Sequence, residues 1–252
     1  NQWVLVIGDL MLDKYIFGEV KRISPEAPVP VLKKESESFR MGGAANVAAN
    51  LNGLGIKTSL CGAVGNDLNG QILRDLLKEN KILQQGLIKT KLPTSTKTRI
   101  IGGQQQIVRI DDEDLNLLLP ANEMKKIINL IKKKPSVIIL SDYAKGFLSP
   151  ELTQKIIKLA NQLKITTLVD PKGNDIEKYR GSSILTPNKK EALILTNTTL
   201  NDEALLEKEL KKICLKLNIK NIAMTQGEQG IKLISSRKIE VLPTNKTKKV
   251  FD

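Results

Sequence analysis

Short runs of consecutive apolar residues, each closed by small or polar residues, recur along the chain and constrain its fold more than any other feature. "WVLVIGD" (3–9), "TSLCGAVG" (58–65), "SVIILSD" (136–142), "TTLVDP" (166–171), "SSILTPN" (182–188) and "NIAMTQG" (221–227) have this form. A strand that is apolar on both faces must be covered on both faces, as in a parallel sheet between layers of helices. The spacing predicts a helix over 43–54, with Val47, Leu51 and Leu54 on one face, and another over 68–79. It predicts a third over 121–133, with Met124, Ile127, Ile128 and Ile131 on one face. A fourth over 151–163 carries Leu152, Ile156, Leu159 and Leu163 in one stripe. The alternation argues for an α/β fold, a doubly wound and mostly parallel sheet with helices on both faces.

Two segments break the alternation. Residues 15–35, "YIFGEVKRISPEAPVPVLKKE", and 96–110, "TKTRIIGGQQQIVRI", have strand-like patterning without an intervening helix. They read as antiparallel ribbons that together make a small β-sheet over one end of the main sheet, a lid. Pro25, Pro28 and Pro30 stiffen its connection and discourage edge pairing. No internal repeat and no long linker interrupts the pattern, so residues 1–252 read as a single domain.

Composition excludes several kinds of chemistry. The chain has no histidine, which removes Ser-His and Cys-His catalysis and any His-based zinc site. Its two cysteines, Cys61 and Cys214, are far apart among apolar neighbours and read as buried, reduced thiols of a cytoplasmic protein. The net charge of +13 raises nucleic acid as a partner. The lysines, however, are spread along the chain among glutamates, as in "LLEKELKKICLKLNIK", and aromatic residues make up only 3%. Solvated helix faces explain the charge, and neither nucleic acid nor membrane is expected as a partner. The opening segment has acids and no basic stretch, unlike a secretory leader.

In such sheets ligands bind beyond the carboxyl ends of the strands. The polar residues there are Asp9 and Asp13, then Gly42, Gly43 and Asn46, then Asp142 with Lys145, Asp170 with Lys172, Asn188 with Glu191, and Thr225 with Gly227. This set suits a polyhydroxylated substrate and a metal-bound phosphate, and offers no hydride or thiol chemistry. The glycine pair in "RMGGAANVAANLNGLG" is neither a dinucleotide fingerprint nor a Walker loop. From these residues alone, a strand-to-helix turn that needs only small side chains remains open.

"VIGDLMLDKY", "GGAANVAANLNGLG", "TPNKKE" and "TQGEQG", in this order, resemble the ribokinase (PfkB) family of carbohydrate kinases. More narrowly, "RISPEAPVPV", "LSDYAKG" and "VDPKGNDIEKYRGSSILTPN" resemble the D-glycero-β-D-manno-heptose-7-phosphate kinases, the kinase half of a bifunctional ADP-heptose synthesis protein. The resemblance implies phosphorylation at O1 of the heptose 7-phosphate, on the route to ADP-heptose and lipopolysaccharide core. It implies ATP, Mg2+ and K+ as cofactors, and a homodimer formed through the lid. It assigns the sugar to Gly42, Gly43, Asn46 and Asp13. Arg22, Lys97, Arg99, Arg109 and Lys145 become candidates for the sugar phosphate, with Asp142 beside the sugar or orienting Lys145. Each of these has a bland counterpart: a turn residue for Asp13, ordinary exposed strand charges for Lys97 and Arg109. Asn188, Lys189, Lys190 and Glu191 match the family's Asn-x-x-Glu motif, with Glu191 on the Mg2+ hydration shell. The same spacing also makes a helix capping pair of Asn188 and Glu191. Lys172 would offset charge on the transferring phosphate, and Thr225 and Gly227 would line the nucleotide.

The sequence ends at "TKKVFD", where relatives continue into Thr-Gly-Ala-Gly-Asp, the loop that carries the catalytic base and anion hole. No catalytic base is therefore expected within these residues, and Asp252 stands where relatives help hold a monovalent cation. Another sugar kinase of the same family, or a catalytically incomplete sugar-phosphate-binding relative, are the alternative readings.

Overall fold

The structure, a computed structural model, describes residues 2–114, 117, 119–199 and 202–244. The chain divides into two compact units. The first comprises the described residues of Asn1–Leu130 with Lys145–Phe147, the second those of Ile131–Ala144 with Leu148–Asp252.

In the first unit the strands are β1 (Val4–Gly8), β2 (Leu10–Ile23), β3 (Pro30–Gly43), β4 (Thr58–Gly65), β5 (Leu83–Thr90), β6 (Thr96–Gly102) and β7 (Gln105–Asp112). Its helices are α1 (Ala44–Gly53) and α2 (Leu68–Glu79). Strands β1, β4 and β5 lie parallel in that order, with Val6 opposite Leu60 and Cys61 opposite Gly86. Leu5, Val6, Ile7, Leu60 and Cys61 have no exposed surface, as a strand covered on both faces requires. Each such aliphatic side chain contributes about 1.5–3 kcal/mol by leaving water. The remaining strands form a separate sheet in the order β3-β2-β6-β7. Two antiparallel hairpins, β2–β3 and β6–β7, are joined by parallel pairing of β2 with β6. Residues 15–35 and 96–110 thus contribute to one sheet, whose strands run from Leu10 to Gly43 and from Thr96 to Asp112. The prolines occupy the β2–β3 connection and the first residue of β3.

Helix α1 packs differently from its periodicity. Leu54 is 77% exposed and caps the C-terminus, while Ala44, Ala45 and Ala48 form the buried stripe. Small side chains let the helix backbone approach the sheet closely, and this outweighs the larger Val47–Leu51–Leu54 face. Helix α2 keeps its expected bounds because Asp67 caps it, accepting from the Gly70 N–H at 2.7 Å. The same carboxylate accepts from the backbone and hydroxyl of Thr94 and so ties the β5–β6 connection to the helix start. Helix α3 (Ala121–Lys132) carries the chain onward and buries Ile127, Leu130 and Ile131.

The second unit contains β8 (Val137–Ser141), α4 (Pro150–Gln162), β9 (Thr166–Asp170), β10 (Ile184–Leu185), α5 (Lys189–Thr196), α6 (Glu203–Lys216), β11 (Asn221–Thr225), β12 (Ile231–Ile234) and β13 (Ile239–Leu242). Its strand order is β13-β12-β11-β10-β9-β8, parallel from β8 to β11 and antiparallel beyond. Ser149 caps α4, with Pro150 in the first turn, and the helix buries Leu152, Ile156, Ile157 and Ala160. The expected strand over 182–188 contracts to two residues, because Ser183 and Thr167 exchange backbone-to-hydroxyl hydrogen bonds before it and Asn188 opens a helix after it. Both cysteines are free and buried, and burial raises both thiol pKa values, that of Cys214 to about 11. Among the described residues no helix is long and apolar enough to cross a membrane.

Candidate functional site

In the first unit the glycine pair ends β3 and starts α1. Gly43 has φ 58°, and a Cβ there would lie 2.4 Å from the Asp9 carbonyl, which accepts the Ala44 N–H. A Cβ on Gly42 would lie 2.5 Å from the Asp13 carboxylate. The pair is bare for two reasons: a strand-to-helix turn at Gly43, and room for the Asp13 side chain at Gly42. Asp13 stands on β2 opposite Arg40 of β3 and Lys97 of β6. Its Oδ1 accepts from Arg99, and both side chains remain about one-fifth exposed. Asn46 is exposed in the first turn of α1, whose N-terminus has no side-chain cap.

The cations beside this corner differ in their commitments. Lys97 donates to Asp111 at 2.9 Å, and Arg109 donates to both oxygens of Asp111 at 2.8 and 3.1 Å. The Lys97 hydrogen bond, opposed by partial burial and reinforced by Arg109, holds the Asp111 carboxyl below its ordinary range. Arg22 is exposed on β2 and has no carboxylate partner among the described residues. Lys145 lies in the loop after β8; its ammonium pairs with Glu113 at 2.5 Å, while its backbone N–H and that of Phe147 donate to Asp9. Asp9, predicted only as a strand-end acid, is thus a buried clamp for this loop.

The second unit carries the other cluster. Asn188 accepts from the Glu191 N–H at 2.9 Å and Glu191 accepts from the Asn188 N–H at 3.0 Å, a complete capping box. Asn188 also bridges to Thr225, whose N–H donates to Pro187. The "NKKE" and "TQG" motifs are thereby brought together. Lys189 is half-buried, Lys190 exposed, and Gly227 sits at φ 58° in the short turn between β11 and β12. Lys172 donates to Glu191 at 3.0 Å, a bond that raises the Lys172 pKa. Burial in the first place, then Glu191, pushes the Asp170 carboxyl up to about 6 against the pull of Lys172.

Asp142 is nearly inaccessible. It accepts from the Ala144 N–H at 2.7 Å and the Tyr179 hydroxyl at 2.7 Å, and pairs with Lys178 at 2.6 Å. The Tyr179 hydroxyl in turn accepts from the Lys172 N–H at 3.1 Å and so fixes the Lys172 turn. Burial, followed by the Asp142 charge, raises the tyrosine pKa. Sequence reading did not single out Lys178, Tyr179, Asp111 or Glu113. Asp111 stands on β7 opposite Lys97 of β6, and Glu113 lies just past the end of β7 within reach of Lys97 and Lys145, a signal visible once the register is known. Tyr179 lies 37 residues from Asp142, and no local pattern marks that pairing. Asp252 lies outside the described residues.

Comparison with known proteins bears on the family and the fold. Residues 1–252 match the profile of the pfkB family carbohydrate kinase. The "Bifunctional protein HldE" of Methylobacillus flagellatus is 45% identical over 236 residues, covering 92% of this chain and 48% of its own length. That of Magnetococcus marinus is 46% identical over 237 residues, 92% and 49% respectively. The chain therefore spans about half the length of the curated relatives it matches. The tetrameric inhibited form of phosphofructokinase-2 from Escherichia coli superposes with TM-score 0.77 at 19% identity, over 98% of this chain and 81% of that one. The chain has the fold of these sugar kinases and belongs to the pfkB family of carbohydrate kinases.

Proposed function

We propose that this chain is an ATP-dependent kinase for D-glycero-β-D-manno-heptose 7-phosphate, transferring the γ-phosphoryl group to O1 to give the 1,7-bisphosphate on the route to ADP-heptose and lipopolysaccharide core. The observation that carries the reading is the Asp13 carboxylate seated against the bare Gly42 backbone, with Lys97, Arg99 and Arg109 on the same sheet. A carboxylate accepts strongly from sugar hydroxyls, and guanidinium forks match phosphate oxygens. Identity above 40% to proteins named HldE supports the choice of sugar. Gly43, Asn46 and Lys145 are proposed to line the sugar, and Arg22 to reach its phosphate; Asp142, buried against Tyr179 and Lys178, is not proposed to touch it.

Asn188, Lys189, Lys190, Thr225 and Gly227 are proposed to hold ATP, with Lys172 offsetting phosphoryl charge. The donor set fits a hydrated Mg2+: Glu191 is a single carboxylate beside the phosphate candidates, close enough to Asp170 for the two charges to interact. Bound there through water, the ion would neutralise phosphate charge. Catalysis would then rest on positioning and charge neutralisation. The small sheet is proposed to act as a lid and to form a homodimer in the cytoplasm; the exposed Val20, Ile23, Val108 and Ile110 support the interface. K+ is proposed as a further cation.

The test incubates full-length protein with Mg·ATP and a panel of sugars, following ADP release and 31P NMR of the product. Heptose 7-phosphate should be the preferred acceptor, with a new anomeric phosphate signal. A preference for ribose, a nucleoside or another unphosphorylated acceptor rejects the substrate.

A further inference from the structure

Strand register places Asp13, Tyr15 and Phe17 of β2, Arg40 of β3, Lys97 and Arg99 of β6, and Arg109 and Asp111 of β7 on one face of the small sheet. Lys97 and Arg109 are committed to Asp111, and Arg99 to Asp13. Arg40 has no carboxylate partner among the described residues, although it is the cross-strand neighbour of Asp13. Its guanidinium lies 5.1 Å from the Tyr15 ring centroid, and that of Arg99 lies 5.2 Å from the same ring. The ring itself is stacked on Phe17, with centroids 6.2 Å apart and planes 11° from parallel.

An arginine lying over an aromatic face spends its π-surface on the contact and keeps its edge N–H groups for an acceptor. The ring also limits the rotamers of a long side chain, so less ordering remains to be done when an anion arrives. A cation already neutralised by a carboxylate offers less net attraction to a dianion than one that is not.

We propose that Arg40, held on the Tyr15 ring, is the specificity-determining residue that reads the phosphate already present on the sugar. The assignment rests on the heptose-phosphate reading above. Arg40 recognises the terminal phosphate through its fork while Asp13 recognises hydroxyls. Lys97, Arg99 and Arg109 add to the positive field around the phosphate, partly offset by their pairs with Asp111 and Asp13. The substrate class is then a sugar phosphate, and selection against the unphosphorylated sugar is centred on one guanidinium.

The experiment uses the full-length protein, and measures by calorimetry the Kd of D-glycero-D-manno-heptose 7-phosphate and of the same heptose without phosphate. Arg40→Ala should weaken the 7-phosphate about 10–100-fold and leave the free heptose unchanged, because hydrogen bonds to a charged group are lost in one case only. Arg40→Lys should recover part of the loss, since a point charge lacks the fork. Tyr15→Leu should reduce the discrimination while Tyr15→Phe retains it. If Arg40→Ala stays within about threefold of the parent on the phosphorylated sugar, or loses both sugars equally, the assignment to Arg40 is overturned while the kinase reading stands. If the parent protein binds both sugars equally, the sugar-phosphate reading and this inference fall together.

Discussion

The small sheet of the first unit and the polar cluster of the second are built by opposite means. Around Asp13 the chemistry comes from strand register: residues 86 positions apart, Asp13 and Arg99, meet because β2 and β6 run side by side. Around Glu191 it comes largely from a helix start, where Asn188 and Glu191 are three residues apart and cap each other. The first arrangement leaves charges partly wet and adjustable. The second includes a buried centre, Asp142 with Tyr179 and Lys178, that fixes a loop rather than meeting solvent.

The largest effect should come from breaking the rigid side. Asp142→Ala leaves Lys178 and the Tyr179 hydroxyl buried without their acceptor. It should cost about 3–5 kcal/mol in urea unfolding, whereas a loss below about 1 kcal/mol would mean the centre is wetter than its geometry indicates. On the adjustable side, Asp13→Asn keeps shape and removes charge. It should weaken sugar phosphate binding about 10–100-fold by calorimetry with unfolding stability little changed.

The third test uses pH. The folded Asp170 carboxyl titrates at about 6, above its ordinary 3.8. Between those values the folded state binds more protons than the unfolded one, so this group lowers stability as pH rises from about 4 to about 6. Its negative charge, useful to a cation, is present only above that window. Mg·ATP affinity should therefore fall about three- to tenfold between about pH 7.5 and pH 5.5. Asp170→Asn should flatten that slope, and an unaltered slope would remove Asp170 from the cation's surroundings. Next in size, Asn188→Ala should cost about 1 kcal/mol, the usual worth of a cap, together with a raised KM for ATP. Smallest of all, Arg109→Ala should change stability by less than about 1 kcal/mol, because its pair with Asp111 is half exposed. A large loss there would show that the two regions are less different than their burial implies.

Parts of this were legible in the sequence. The apolar runs marked most strands of the parallel sheets, because a strand covered on both faces needs an unbroken apolar run. The capping pair was legible because both partners lie within one helical turn. Register-dependent pairs were not: Arg99 could be named as a cation, but nothing local says that Asp13 is its partner. The buried stripe of α1 was misread because hydrophobic size suggested Val47, Leu51 and Leu54, whereas close backbone approach selected Ala44, Ala45 and Ala48.

The sequence alone therefore determined the alternation of elements, the helix starts and the kinds of polar groups at strand ends, since these depend on periodicity and on contacts a few residues long. Only the tertiary structure decided that Gly42 is bare to admit Asp13, that Asp9 clamps the loop at Lys145, and that Tyr179 holds Asp142 and Lys172. Those contacts join residues brought together by sheet pairing and burial, and free energy of that kind depends on the whole fold.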